Sequence, residues 1–270
     1  MSWLEEVLGT TTPVIGVVHV PPLPGSPRGE ADGLPGILDR VRRDAAALAR
    51  GGADAVLVEN YGDAPYHPTD VPKHVVAFMT RISAAAREAG GLPVGVNVLR
   101  SDGAAALAVA SAAGGRFVRV NVYVGARVTD QGVVEGRAHE LQRLRRRVAP
   151  DVHLLSDVRV KHSSPLGEER PLGLEVEDVV GRGRADGVIV TGDSTGRPPK
   201  PDQLRDARRA AAGVPVLAGS GVTRESAAEI LEEADGVIVG TAVKEGGRTE
   251  APVSESRVRS FVEAARGGDG

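Results

Sequence analysis

The chain has 270 residues, with 33 Lys plus Arg against 36 Asp plus Glu, and a formal net charge of -3. That balance excludes a globally basic, nucleic-acid-coating protein and a strongly acidic disordered chain. The absence of cysteine excludes a disulfide framework, a thiolate nucleophile and Cys-ligated metal, and 3% aromatics argues against a base-stacking nucleic-acid surface.

The opening residues are acidic and do not read as a secretory leader. No run of about 18 apolar residues predicts a membrane span; with no cysteine, a reducing, cytoplasmic location is the simplest expectation. Ser2–Thr12 predicts a short helix. The runs Pro13–Val20, Asp54–Glu59, Pro93–Leu99, Phe117–Val124, Val152–Val160, Gly187–Thr191, Val214–Ser220 and Gly236–Gly240 predict strands. Alternating with them, Ile37–Arg50, Lys73–Ala89, Gly103–Ala113, Glu135–Val148, Leu174–Arg182, Pro201–Ala212, Arg224–Glu232 and Ser254–Ala265 predict helices. Glycines at Gly51-Gly52, Gly90-Gly91, Gly114-Gly115 and Gly213 supply helix ends. A βα unit repeated about eight times without a linker predicts residues 1–270 to be one α/β domain, a (β/α)8 TIM barrel with a short N-terminal extension packed beneath it. An open doubly wound sheet is the alternative, but no Gly-x-Gly-x-x-Gly turn follows the first strand. Pro21–Pro35 reads as a lid, and Val124–Gly136 and Lys161–Gly173 as long loops. All three follow strands and fall on the face where barrel active sites lie.

Strand residues alternate between two faces. The valines of Phe117–Val122 share one face, leaving Arg119 and Asn121 on the other. By the same count Asn97, Asp157, Arg159 and Lys161 point inward, and Ile15 and Val17 lead to His19 as Ala55 and Leu57 lead to Glu59. These polar side chains sit near strand C-terminal ends, so they converge at the barrel mouth. Buried polar groups need partners or a ligand. A structural ion-pair network, such as Arg119 with Glu59 or Asp157, is the competing reading for any one of them.

Strand seven ends in Ala218-Gly219-Ser220-Gly221-Val222-Thr223 and strand eight in Val239-Gly240-Thr241-Ala242. Glycines let backbone N–H groups approach an anion, a following helix N-terminus adds positive potential, and barrels often bind phosphate there. Gly219, Ser220, Gly221, Gly240 and Thr241 are therefore candidate phosphate ligands, with Lys244 as added charge. Tight turns alone are the plain alternative. Asp193, in the Thr191–Gly196 loop, and Asp130 and Gln131, in the long fourth loop, are candidate substrate contacts, with ordinary turns and solvated loops as alternatives. His67, His74, His139 and His153 lack metal-like spacing. No cofactor is expected; a divalent ion on His19, Glu59 and Asp157 is the alternative.

The assembled motifs resemble the BtpA/SgcQ family. They include Val14–Pro27 with His19-Val20-Pro21-Pro22, Val58-Glu59-Asn60-Tyr61-Gly62-Asp63, Pro93–Arg100, Arg119–Val122, Val128–Gly132, Asp157–His162, Thr191-Gly192 and Gly219–Thr223. The resemblance spans nearly the whole chain and implies a ribulose-phosphate-binding type of barrel. It implies two functional associations: photosystem I biogenesis at a thylakoid membrane, and sugar uptake with pentose-type or nucleosidase functions. The resemblance also implies the pattern Asp-Val-His-Val-Lys-His, where this chain has Arg159 in place of the first histidine. A guanidinium cannot shuttle protons as imidazole does, so any acid/base role there would pass to Lys161 or His162.

The expected function is catalysis on a phosphorylated pentose or nucleotide-like molecule by isomerisation, lyase chemistry or N-glycosidic cleavage. Asp157 and Glu59 are candidate base and acid, with His19 and His162 beside them. Lys161 is the candidate oxyanion stabiliser or Schiff-base amine. Asn97, Arg119, Asn121 and Arg159 are candidate substrate-positioning groups. The alternative is a non-catalytic membrane-complex assembly factor, touching lipid through Arg143, Arg145, Arg146 and Arg147. No nucleic-acid partner is expected, and a homo-oligomer is allowed.

Overall fold

The computed structural model describes residues 2–29, 33–192 and 198–267. Eight parallel strands close into a barrel: β1 (Val14–His19), β2 (Ala55–Glu59), β3 (Val94–Asn97), β4 (Phe117–Val120), β7 (His153–Val158), β9 (Gly187–Thr191), β10 (Val216–Gly219) and β11 (Val237–Val239). The helices α2 (Gly33–Arg50), α3 (Lys73–Gly90), α4 (Gly103–Ala113), α5 (Ala138–Val148), α6 (Leu172–Glu177), α7 (Pro201–Ala210), α8 (Ala227–Glu233) and α9 (Glu255–Ala265) surround it. This is the expected TIM barrel, with each strand inside the run anticipated for it. Beyond Glu177 the sixth helix continues as a π-helical turn, Asp178–Arg182.

Period-two alternation builds two cores. Outward valines such as Val56, Val96, Val118, Val188 and Val237 pack under the helices. Ile15, Val17, Leu57, Phe117, Leu155, Ile189, Leu217 and Ile238 fill the barrel interior. The short α1 (Trp3–Leu8) closes its floor with Leu4 and Leu8. Trp3 stacks on His153 at 4.5 Å and its Nε1 donates to the Asp186 carbonyl at 2.8 Å. Interior packing explains Gly95: a Cβ there would lie 2.1 Å from the Phe117 ring. Truncating Phe117 to Ala would cost about 3–5 kcal/mol.

Two of the segments read as loops are built otherwise. Val124–Gly136 contains a hairpin, β5 (Ala126–Thr129) and β6 (Gly132–Glu135), and Lys161–Gly173 contributes β8 (Ser163–Pro165), which pairs antiparallel with β5. Strands of three or four residues with few apolar side chains give too little alternation to be seen in the sequence. In the anticipated lid, Leu23 is buried with its N–H on Asp63 Oδ1 at 2.8 Å, and Arg28 pairs with Glu250 at 3.0 Å.

Candidate active site

Strand register sets the site. His19 is level with Glu59, Glu59 with Asn97, and Asn97 with Arg119. All four continue the inward-facing rows of their strands, so their polar ends meet at the C-terminal rim. A cavity of about 750 Å³ opens there, lined by His19, Glu59, Arg119, Asp157, Lys161 and the turns after β10 and β11.

On one side, Arg119 Nε and Nη2 donate to Asp157 Oδ1 and Oδ2, both at 2.8 Å, and Asn121 Nδ2 donates to Oδ2 at 2.9 Å. Burial opposes the Arg119 charge, but Asp157 outweighs it and holds the guanidinium above its usual range. The other side is looser. Asn97 Nδ2 donates to Glu59 Oε2 at 2.7 Å, and Glu59 Oε1 lies 3.8 Å from His19 Nε2. Burial pushes the Glu59 carboxyl up, against the nearby Arg119 charge. Burial, with the Lys244 charge, pushes His19 down to about 3, so the imidazole is neutral at pH 7. Its Nδ1 faces the Thr249 carbonyl at 3.2 Å. A carbonyl can only accept, so the proton belongs on Nδ1 and the Nε2 lone pair faces Glu59. The Lys161 ammonium is half-buried and held down at about 8 by desolvation and by Arg119.

The two glycine turns do lie on this cavity. Ser220 and Gly221 adopt φ of 62° and 75°, which turns the backbone toward the opening. The Ser220 N–H continues the β10–β11 ladder toward the Ile238 carbonyl, and the N–H groups of Gly221 and Val222 meet no backbone acceptor among the described residues. Arg257, also on the cavity, braces the second turn through Nε to the Ala242 carbonyl at 2.9 Å. A Cβ on Gly240 would lie 2.7 Å from His19 Cε1, so glycine makes room for the imidazole. The helix contribution differs from expectation. After Thr223 the chain makes a separate turn closed by Ser226, and α8 begins only at Ala227.

The candidate residues separate into those on the cavity and those off it. His19, Glu59, Arg119, Asn121, Asp157, Lys161, His162, Ser220, Gly221, Gly240 and Thr241 line it. Asn97 stands behind Glu59 and does not line it. Gly219 is a packing glycine, whose Cβ would meet Ile189 at 2.5 Å. Lys244 is fully buried, 3.9 Å from Asp44, rather than beside the cradle. Arg159 follows the end of β7 at φ 50°, lines a neighbouring cavity of about 200 Å³, and lies 3.6 Å from Glu169. Asp130 and Gln131 bond to each other at the hairpin tip, away from the mouth. Asp193 lies outside the described residues. Among the described residues, no three His, Asp or Glu side chains are arranged to hold a metal ion. Sequence alternation misses Tyr61, Tyr66, Arg100, Arg224 and Arg257, all on the cavity, because each lies beyond a strand end or on a helix.

The BtpA family model matches residues 10–267. The chain belongs to the BtpA family. It is 44% identical over 261 residues to the "Photosystem I biogenesis protein BtpA" of Synechocystis, covering 97% of this chain and 90% of that protein. Among solved structures it resembles (S)-3-O-geranylgeranylglyceryl phosphate synthase from Thermoplasma acidophilum in complex with sn-glycerol-1-phosphate (TM-score 0.60, 14% identity, 99% of each chain). It also resembles N-(5'-phosphoribosyl)anthranilate isomerase from Pyrococcus furiosus (TM-score 0.55, 13% identity, 94% of this chain and 98% of that one). At such identities these structures establish the shared fold.

Proposed function

We propose that this BtpA-family barrel is an enzyme that binds a phosphorylated pentose or nucleotide-like molecule and moves a proton on its sugar. One observation carries the reading: the glycine turns after β10 and β11, with the free N–H groups of Gly221 and Val222, share a cavity with a carboxyl and an amine whose charged forms are both disfavoured. The two structural relatives, named for phosphate-bearing ligands, are consistent with a phosphate on those turns. Glu59 serves as the acid/base group, since burial raises its carboxyl and brings its two protonation states closer in energy. His19 faces it with a lone pair, and Asn97 orients it. Lys161 stabilises negative charge that develops on a sugar oxygen, or condenses with a carbonyl. Asp157, with three donors on it, holds Arg119 and Asn121 in place and leaves the proton chemistry to Glu59. Isomerisation moves a C–H proton and lyase cleavage takes a hydroxyl proton and returns one to carbon, whereas N-glycosidic cleavage gives its proton to the leaving base and exchanges no sugar C–H, so the exchange experiment separates it from the other two.

The test is a thermal-shift titration with inorganic phosphate and ribose 5-phosphate, followed by proton NMR of the sugar in D2O. Stabilisation lost in Gly221→Asp, and C–H exchange lost in Glu59→Gln, are expected. No shift at millimolar ligand would sink the proposal. Borohydride trapping separates the Schiff-base version from the oxyanion version.

The Synechocystis relative's name favours a second reading, an assembly factor for a membrane complex. No helix among the described residues is long and apolar enough to cross a membrane. The basic run on α5 is partly used internally: Arg145 pairs with Asp186 at 2.7 Å and Arg143 donates to the His139 carbonyl at 2.6 Å. Arg146 and Arg147 remain exposed. Co-sedimentation with anionic vesicles, abolished in an Arg146→Glu/Arg147→Glu variant that still lacks any phosphate response, would favour this reading.

A further inference from the structure

Three Lys or Arg side chains are buried among the described residues: Arg100, Arg119 and Lys244. Arg119 has Asp157, and Lys244 has Asp44. Arg100, only 8% exposed, makes no ion pair with a described carboxylate. Its Nη2 donates to the Lys161 carbonyl and its Nε has no acceptor. Glu59 acts on it only at longer range and is itself pushed toward its neutral form. A desolvated guanidinium without a counter-ion is costly, so something anionic is expected to meet it.

The placement of Arg100 is rigid. Leu99 N–H donates to Asn60 Oδ1 at 2.7 Å, and the Arg100 and Ser101 N–H groups donate to the His67 and Pro68 carbonyls at 2.9 and 3.1 Å. Arg100 lines the main cavity, as does Lys161, whose ammonium has no described ion pair and lies in the field of Arg119 and Asp157. Around the ring β1, β2, β3, β4, β7, β9, β10, β11, strand β3 lies four places from β10. In an eight-stranded closed barrel that is the diametric opposite. Arg100 follows β3 and its guanidinium reaches the Lys161 carbonyl after β7, so the cation lies on the β3-to-β7 side of the mouth and the cradle on the β10-to-β11 side.

We propose that the mouth takes a sugar derivative that is anionic at both ends. One phosphate sits on the turns after β10 and β11. A second oxyanion, phosphate or carboxylate, sits against Arg100 and Lys161 on the β3-to-β7 side of the rim. Asn121 lines the same cavity and its buried Oδ1 has no donor, so a small turn of the amide lets it accept a hydroxyl from the sugar between them. This inference rests on the phosphate reading of the cradle and narrows its substrate class.

Calorimetric titration at pH 7 with ribose 5-phosphate, 5-phosphoribonate and ribose 1,5-bisphosphate tests it. At least one dianionic-ended sugar is expected to bind about tenfold tighter than ribose 5-phosphate, since charge-assisted pairs are the strong ones; whichever it is identifies the second oxyanion. Arg100→Gln should bring that preference down to about threefold or less, Arg100→Lys should restore part of it, and Gly221→Asp should weaken all three sugars. If Arg100→Gln fails to fold, Lys161→Met carries the same test. Equal wild-type affinity for all three sugars, with binding still lost in Gly221→Asp, would overturn the second subsite and leave the phosphate reading standing. No binding of any of the three would overturn both.

Discussion

Two carboxylates face into the same mouth from β2 and β7, and their surroundings differ. Asp157 receives a bidentate guanidinium and an amide, so both its oxygens are engaged. Glu59 receives one amide and faces a neutral imidazole at 3.8 Å. The first arrangement fixes charge in place; the second leaves a proton free to move. Chemistry of the acid/base kind needs a group whose two protonation states are close in energy. Burial brings Glu59 toward that condition, while the grip on Asp157 serves geometry. Residue type alone therefore does not assign roles at this mouth; the donors around each carboxyl do.

The sharpest way to break this contrast is Asp157→Asn. It leaves the Arg119 guanidinium buried without its counter-charge, and removing one member of such a pair costs about 3–5 kcal/mol. Urea unfolding should show that loss, with Glu59→Gln changing stability much less at pH 5. Equal effects at the two positions would erase the distinction.

The barrel and the inner row are legible in the sequence for the same reason. Alternation of Val118 and Val120 against Arg119, or of Leu57 against Val58 and then Glu59, is visible because each strand has one face for the helices and one for the interior. That logic stops where the strand stops. Counting past Val158 assigns Arg159 to the mouth, but the backbone there turns to φ 50° and carries its side chain to Glu169. Arg100 escapes the count for the mirror-image reason: it follows β3, and only the hydrogen bonds to Asn60, His67 and Pro68 aim it. Proximity in sequence groups Lys244 with the phosphate turn, although the 3₁₀ turn Thr241–Val243 buries it against Asp44. No local pattern encodes those long-range contacts.

His19 and Glu59 sharpen the comparison through opposite pH slopes. His19 has a folded value near 3 against 6.5 in the unfolded chain, so the unfolded state binds the extra proton. Its contribution to stability is present above pH 6.5 and lost as pH falls toward 3, at up to about 1.4 kcal/mol per pH unit. Glu59 is raised on folding, so its folded state binds the proton more tightly. Its contribution is present below about pH 4.3 and declines as pH rises toward the folded value. Melting temperatures from pH 4 to 8 should therefore show His19→Gln resisting acid better than wild type. Glu59→Gln should gain on wild type as pH rises. Parallel curves for both variants would mean that neither group is desolvated as described.

The smallest effect is expected from Lys161→Met, and its sign is informative. Lys161 sits near pH 8 when folded against 10.5 when free, because burial and Arg119 disfavour its charge. The unfolded chain thus holds the proton more tightly between those values, and wild-type stability rises as pH climbs from 8 to 10.5; below 8 the whole penalty is felt. Met keeps the length and removes the charge, so at pH 7 the variant should match or slightly exceed wild type, within about 1 kcal/mol after solvent screening of a half-exposed amine. That margin should close toward pH 10. A clear loss at pH 7 would make Lys161 a structural counter-charge to Asp157, placing it with the clamped half of the mouth. A retained fold with lost preference for two-anion sugars places it with the half that meets ligand.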